Sequence, residues 1–322
     1  MNQIIDHLLK SKHVFLASHI NPDGDAVGSL IAMGLAVGAL NKNVTLYNEN
    51  SLPAVYRFLP SANRIVRHAN APDDYDTAVI LDCGSLKRIG HIHSVISRVP
   101  VVINIDHHIT NTGFGNLNLI DTSASATAEI VYRLIRRMGI MISRSMALSI
   151  YTGILTDTGS FRFANTSRAA FDICSEMMEL GVDPHDVAQH VYGTYSLGRI
   201  KLLNLAIDSI EISENGKLSV MTLCQSMLDE TGTHAEDIDG FIHYAKRIED
   251  IKIAVLIREL SGKKNKRPGS RCHVSLRSDG TIDVSEIAAT FGGGGHFNAA
   301  GFNIDSGIVD LKKRIFELAR TI

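Results

Sequence analysis

Tryptophan is absent from this 322-residue chain, and its four cysteines, Cys83, Cys174, Cys224 and Cys272, form no CxxC pair. Scattered thiols of this kind argue against both a disulfide framework and a zinc ribbon. A charge excess is missing too: 32 Lys and Arg stand against 34 Asp and Glu, a formal net charge of −2. Such a chain is a poor sequence-independent binder of long duplex DNA, whose affinity comes from neutralising phosphates. No apolar run reaches the ~20 residues of a membrane span; the longest, Ser29 to Leu40, stops well short. The opening MNQIIDHLLK has neither the charge order nor the apolar centre of a secretory signal. A Walker P-loop, a GxSxG elbow and a GxGxxG turn after a strand are all lacking, which removes three common catalytic frameworks. What remains is a globular chain, expected in the cytoplasm and not at a membrane, with length enough for roughly two domains.

The first half alternates strands with helices. HVFLAS (13–18), NVTLY (43–47), AVIL (78–81) and VVINI (101–105) are β-rich segments of strand length. Helical patterns cover 24–40, 124–138, 144–155 and 168–180, the last stopped by Gly181. This alternation predicts an α/β fold: a mostly parallel sheet with helices on both faces. The glycines at 28, 34 and 38 are read as permitting close helix packing. After about Tyr195 the pattern changes. A helix over 197–210 leads into a hairpin over 209–223, with Asn215-Gly216 at its turn. Strands follow at 251–260 and 272–277. The expected organisation is a first domain over 1–195, a linker helix over 196–210 and a second, smaller α/β domain over 211–322. The active site is expected in the cleft across which the two domains face each other.

Fourteen histidines decide nothing by number, but several stand where chemistry is done. The first strand ends in His19-Ile20-Asn21-Pro22-Asp23-Gly24-Asp25. Side chains at the carboxyl ends of parallel strands line the ligand crevice, so one imidazole and two carboxylates meet there. Helix capping accounts for one of those acids, not for all three groups. The third strand ends at Asp82 and the fourth at Asp106-His107-His108. Asp157 closes an apolar helix, where the helix dipole disfavours an acid. His19, Asp23, Asp25, Asp82, His107 and Asp157 offer only oxygen and nitrogen donors, which favours Mn²⁺, Mg²⁺ or Fe²⁺ over structural zinc. Six ligands are too many for one catalytic ion with open positions. They suit two divalent cations sharing a carboxylate, a clamp for in-line displacement at phosphorus. Cys83, beside Asp82, is read as a small buried residue.

These motifs together resemble the DHH phosphoesterase family. The resemblance rests on the segment from His19 to Asp25, Asp82, Asp106-His107-His108 and Thr156-Asp157-Thr158-Gly159. It extends to Gly292-Gly293-Gly294-Gly295-His296 with Ala299-Ala300-Gly301, which looks like that family's DHH-associated domain. It covers nearly the whole chain and is nearest to the stand-alone branch that degrades nanoRNA and dephosphorylates pAp. It implies that His19 and Asp23 hold one ion, that Asp25, His107 and Asp157 hold the other, and that Asp82 bridges them. Mn²⁺ is the expected metal. The resemblance also implies that His108 faces the scissile phosphate or stands just behind the ligands, and that Asp106 orients a histidine.

For the glycine run the resemblance implies substrate binding, by Gly293, Gly294, Gly295 and His296 together with Arg277 and Ser278. A flexible linker is the competing reading of four glycines in isolation. A tight turn whose N–H groups meet an anion suits the helix before it and the AAGF segment after it better. Two departures bear on the substrate. Asp279 follows Arg277-Ser278, and Phe297-Asn298 follows His296, so positive charge near the expected substrate pocket is reduced. Lys263, Lys264, Lys266 and Arg267 are read as a solvated loop.

The expected activity is therefore hydrolysis of short oligoribonucleotides to mononucleotides and dephosphorylation of pAp. Cyclic dinucleotides such as cyclic di-AMP, or their linear products, are the alternative substrates, and a non-catalytic nucleotide-binding protein is the alternative class. Oligomeric state is left open, with a homodimer through the first domain the form considered.

Overall fold

The computed structural model describes residues 1–69, 74–193, 195–260 and 271–319. The chain divides into two compact units, Met1–Thr194 and Tyr195–Ile322. Among the described residues no helix is long and apolar enough to cross a membrane.

The first unit is built on six strands: β1 (His13–Ala17), β2 (Asn43–Tyr47), β3 (Ile65–Val66), β4 (Thr77–Leu81), β5 (Val101–Asp106) and β6 (Leu117–Ile120). They form one wholly parallel sheet in the order β3-β2-β1-β4-β5-β6. Four of these strands are the expected ones. The two unexpected ones lie at the edges, where the hydrophobic signal is weakest: β3 has two residues, and β6 is a half-exposed LNLI. Helices α1 (Asn2–Lys10), α2 (Gly24–Ala39), α3 (His93–Ile96), α4 (Thr127–Arg137), α5 (Arg144–Asp157), α6 (Arg168–Glu179) and α7 (Pro184–Ala188) surround the sheet. Alternate strand residues feed two cores. Val14, Leu16, Val79 and Ile103 pack with Val27, Leu30, Ile130 and Ile150. On the other face Phe15, Ile80 and Val102 pack with Ile89 and Ile96. Burial on both faces explains why these strands read as continuous apolar runs.

Strand order runs one way from β1 to β3 and the opposite way from β4 to β6, so the sheet reverses between β1 and β4. The carboxyl ends flanking such a reversal are where open α/β sheets bind ligands.

Of the three glycines assigned to close helix packing, only Gly28 serves it. A Cβ there would stand 2.4 Å from the Ser149 carbonyl oxygen on α5. Gly34 instead backs onto Leu46 of β2, and a Cβ at Gly38 would meet nothing within 4 Å.

The second unit contains α8 (Leu197–Asp208), β7 (Glu211–Ile212), β8 (Leu218–Leu223), α9 (Gln225–Thr231), α10 (Ile242–Lys246), β9 (Ile253–Glu259), β10 (Cys272–Ser278), α11 (Val284–Thr290), β11 (Gly294–His296), β12 (Ala299–Ile304) and α12 (Ile308–Leu318). Its sheet runs β11-β12-β10-β9-β8-β7, parallel only between β8 and β9. Gly216 takes φ 70° in the turn that joins β7 to β8 as an antiparallel hairpin. Helix α8 contributes Leu202 and Ala206 to the core that holds Met221 and Phe241, which builds it into this unit. The glycine run is neither linker nor turn throughout: Gly294–His296 is an edge strand on β12. The loop carrying Lys263, Lys264, Lys266 and Arg267 lies outside the described residues, as does the His296 side chain.

Candidate metal centre

All six expected ligands converge at the carboxyl ends of β1, β4 and β5. His19 follows β1, and its Nδ1 is hydrogen-bonded to the Ile20 carbonyl at 2.9 Å. A ring pinned through Nδ1 presents Nε2 as its ligating atom. That Nε2 stands 3.4 Å from Asp82 Oδ2 and 3.8 Å from Asp23 Oδ2. Asp23 does cap α2, accepting from the Ala26 N–H at 3.0 Å, so capping and a place beside His19 coexist in one residue. Asp25 caps a different helix. Its Oδ2 accepts from the Thr127 N–H at 2.6 Å, and its Oδ1 from the Ala128 N–H at 2.9 Å and from Ser29 Oγ at 3.0 Å. The N-cap residue of α4, Ala126, has no side chain able to do this.

Asp82 leaves β4 with φ 55°. A non-glycine residue in the left-handed region carries strain, and such residues concentrate at functional sites. The turn aims its buried carboxylate at three imidazoles: Nε2 of His19 at 3.4 Å, Nε2 of His107 at 3.8 Å and Nδ1 of His108 at 3.5 Å. Thr127 Oγ1 donates to Asp82 Oδ1 at 3.0 Å. His107 lies 3.6 Å from Asp157 Oδ2, and its Nδ1 is paired with the Ala124 carbonyl at 3.3 Å. His108 Nδ1 meets Asp106 Oδ1 at 2.6 Å, and Asp106 in turn accepts from Asn111 Nδ2.

Ligating atoms from His19, Asp23 and Asp82 lie within 4.8 Å of one another, as do those of Asp25, His107 and Asp157, and those of Asp82, His107 and His108. The donors fit divalent cations: hard oxygens and neutral imidazole nitrogens, two of the rings held through Nδ1 so that Nε2 faces the cluster. The four acids also need positive charge nearby. Burial and the Asp82 charge push Asp25 up to about 7. Burial and the Asp25 charge raise Asp157 well above the usual carboxylate range. Burial opposes the charged form of His19 and of His107, yet the surrounding carboxylates win and raise each to about 9. The three histidines together hold Asp82 well below its ordinary value, against its own burial.

Cations that bind these atoms must therefore displace protons from them. Protons and cations compete for the same atoms, so Mn²⁺ affinity should rise with pH through about 7 and up to about 9. Calorimetric titration at pH 6.5 and 8.5 should give the tighter binding at the higher pH, with fewer protons released there. Equal or weaker binding at pH 8.5 would contradict this ligand set.

Two supporting residues, Thr127 and Asn165, carry no sequence signal of their own. Thr127 joins two ligands by bonding both Asp25 and Asp82. Asn165 Nδ2 donates to Asp157 Oδ2 at 3.1 Å and to the Ser125 carbonyl at 2.9 Å. Thr156 fills the notch beside Gly24, where a Cβ would stand 2.3 Å from Thr156 Oγ1. Cys83 is buried in the core, which pushes its thiol well up.

In the second unit, Arg277 and Ser278 are neighbours on β10 and point to opposite faces. Ser278 is buried, and its hydroxyl accepts from the N–H groups of Gly280 and Ile282 at 3.0 and 3.3 Å. It therefore fixes the turn after Arg277. Arg277 donates to the Leu276 carbonyl at 2.9 Å. Burial lowers its pKa while Asp239 counteracts this. Gly293 is required by close approach, since a Cβ there would stand 2.2 Å from the Gly301 carbonyl oxygen. Asp279 does not leave an uncompensated negative charge, because Lys252 Nζ sits 2.7 Å from its carboxylate.

Comparison with known proteins follows the same division. Residues 13–154 match the DHH family N-terminal domain, and residues 215–321 match the DHHA1 domain. The chain is 32% identical to the bifunctional oligoribonuclease and PAP phosphatase NrnA of Thermus thermophilus over 95% of this chain and 89% of that one. Its identity to the Bacillus subtilis protein of the same name is 25%, over 91% and 90% of the two chains. The crystal structure of an exopolyphosphatase-related protein from Bacteroides fragilis superposes with a TM-score of 0.87 at 27% identity, covering 98% of this chain and 96% of that one.

Proposed function

From the premise that the chain belongs to the DHH family and is a hydrolase of phosphoester bonds, we propose that it uses two divalent cations, Mn²⁺ foremost, to degrade short oligoribonucleotides to mononucleotides and to remove phosphate from pAp. The observation that carries this reading is Asp82, shared between the group with His19 and Asp23 and the group with His107 and His108. Its strained backbone aims one carboxylate at both sides. The likeness over full length to relatives named as oligoribonuclease and PAP phosphatase supports the substrate class.

In this reading His19 and Asp23 would hold one cation, Asp25, His107 and Asp157 the other, and Asp82 would contribute to both. When bound, the pair supplies Lewis-acid neutralisation of the phosphoryl charge and eases ionisation of the attacking water. The protein's own groups keep that arrangement rigid. Backbone carbonyls of Ile20 and Ala124 fix two imidazoles. Asp106 orients His108 through Nδ1, so that its Nε2–H would face the phosphate and donate its proton to the leaving oxygen. Arg277, the backbone of Gly293, Gly294 and Gly295, and His296 are proposed to hold the terminal phosphate, an arginine fork being suited to it. Ser278 contributes by fixing the turn beside them.

The Asp279–Lys252 pair neutralises one of the two departures that bear on the substrate, and cyclic dinucleotides stay the alternative. Product analysis with Mn²⁺ on a 5′-phosphorylated dinucleotide, a five-nucleotide RNA, pAp, cyclic di-AMP and long single-stranded DNA tests the proposal. Preference for the two short RNAs and pAp is expected. Preference for cyclic di-AMP or for the long strand would overturn it. Arg277→Ala should raise KM on short RNA and pAp by about ten-fold or more, the scale of one charge-assisted contact; unchanged kinetics would remove Arg277 from the site.

A further inference from the structure

No acidic side chain pairs with Arg258, on β9, among the described residues, and burial lowers its pKa. Its Nε is buried with no hydrogen-bond partner. Beyond β9 and Leu260, residues 261–270 are SGKKNKRPGS and contain no acid. A partly buried guanidinium whose Nε lacks an acceptor costs stability, a cost that a bound anion would offset.

The register supplies its neighbours. Arg258 pairs directly with His273 on β10, and His273 with Asn303 on β12. Directly paired residues put their side chains on one face, and Asn303 Oδ1 holds His273 Nδ1 at 2.9 Å. Arg277 lies four residues along β10 from His273 and thus on that same face. Between them Ser275 pairs with Leu256 on one side and Gly301 on the other, and Gly301 with Gly294. Arginine side chains therefore stand at both ends of a floor of serine, glycine and one leucine, with the His273 ring beside Gly301. Four residues of strand span about 13 Å at ~3.3 Å each. A stacked strand advances about 3.4 Å per nucleotide, so that span matches roughly four stacked nucleotides and fewer extended ones.

We propose that Arg258, with His273 beside it, forms a second anion subsite, in which the guanidinium takes a backbone phosphate of a short oligonucleotide whose terminal phosphate is held at Arg277. This rests on the reading of Arg277 given above and adds a device that distinguishes lengths. A five-nucleotide RNA reaches both cationic ends. The two phosphates of pAp, on one nucleoside, do not.

The test compares wild-type protein with Arg258→Gln and Arg258→Met. For Arg258→Gln, KM on the five-nucleotide RNA should rise about ten-fold or more with kcat unchanged, while kcat/KM on pAp stays within about two-fold, as expected for one lost charge-assisted contact. Arg258→Met should keep or raise Tm, because an unpartnered cation has been removed. Equal losses on both substrates, no loss on either, or a lowered Tm in Arg258→Met would overturn the subsite. Anisotropy of a labelled five-nucleotide RNA, with metal removed by chelator, separates this from the proposed activity. If wild-type protein cleaves neither RNA nor pAp but Arg258→Gln still binds about ten-fold more weakly, the activity fails and the subsite stands. If binding is unchanged, the subsite fails whatever is cleaved.

Discussion

Replacement of Asp82 by asparagine should lower kcat/KM on short RNA and pAp by more than about 10³-fold while leaving the fold intact. Loss of an outer partner of a metal ligand typically costs 10–100-fold, and Asp82 is the one carboxylate that faces three imidazoles at 3.4 to 3.8 Å. An amide is a poorer ligand and carries no charge to hold two cations together. Asparagine is the informative substitution because Asp82 has φ 55°, a conformation that Asn tolerates and that costs other residues roughly 1–2 kcal/mol. Asp82→Ala should lose as much activity and some stability besides. Full turnover in either variant, with circular dichroism matching wild type, would sink the shared-ligand assignment.

Asp25→Ala should be the most damaging substitution overall, because one carboxylate serves both the site and the fold. It is buried and accepts from two N–H groups at the start of α4 and from Ser29. Stranding buried donors costs about 1–3 kcal/mol each when nothing replaces the acceptor, and loss of a cap about 1 kcal/mol. A loss of about 2–4 kcal/mol by urea unfolding is expected, together with loss of Mn²⁺-dependent turnover. Asp25→Asn keeps one carbonyl oxygen for the helix end and should recover part of the stability but little activity. Wild-type stability in Asp25→Ala would show that water or a neighbour takes over the cap.

The six expected ligands are legible in the sequence because most of them close or follow strongly apolar segments. The apolar runs HVFLA, TAVIL and VVINID place His19, Asp82 and His107 at or just beyond strand ends. Asp157 was legible as an acid where the helix dipole disfavours one. Supporting residues were not, because their role depends on chain segments far apart: Thr127 bonds Asp25 across 102 residues. Edge strands β3 and β6 were missed because a short or half-exposed strand carries little hydrophobic pattern. For Ser278, adjacency to Arg277 suggested a shared role, whereas strand alternation turns the two side chains to opposite faces. The glycine run looked like a turn because glycine lowers strand propensity. Its strand character comes from pairing with β12, which only the fold brings alongside.

Whether Asp82 joins two cations in one hydrolytic centre is decided by crystals soaked in Mn²⁺ and measured for anomalous scattering. Two peaks about 3.5–4 Å apart are expected, one beside His19 and Asp23 and one beside Asp25, His107 and Asp157, with Asp82 touching both. A single peak, or two that do not share Asp82, would contradict the shared-ligand assignment.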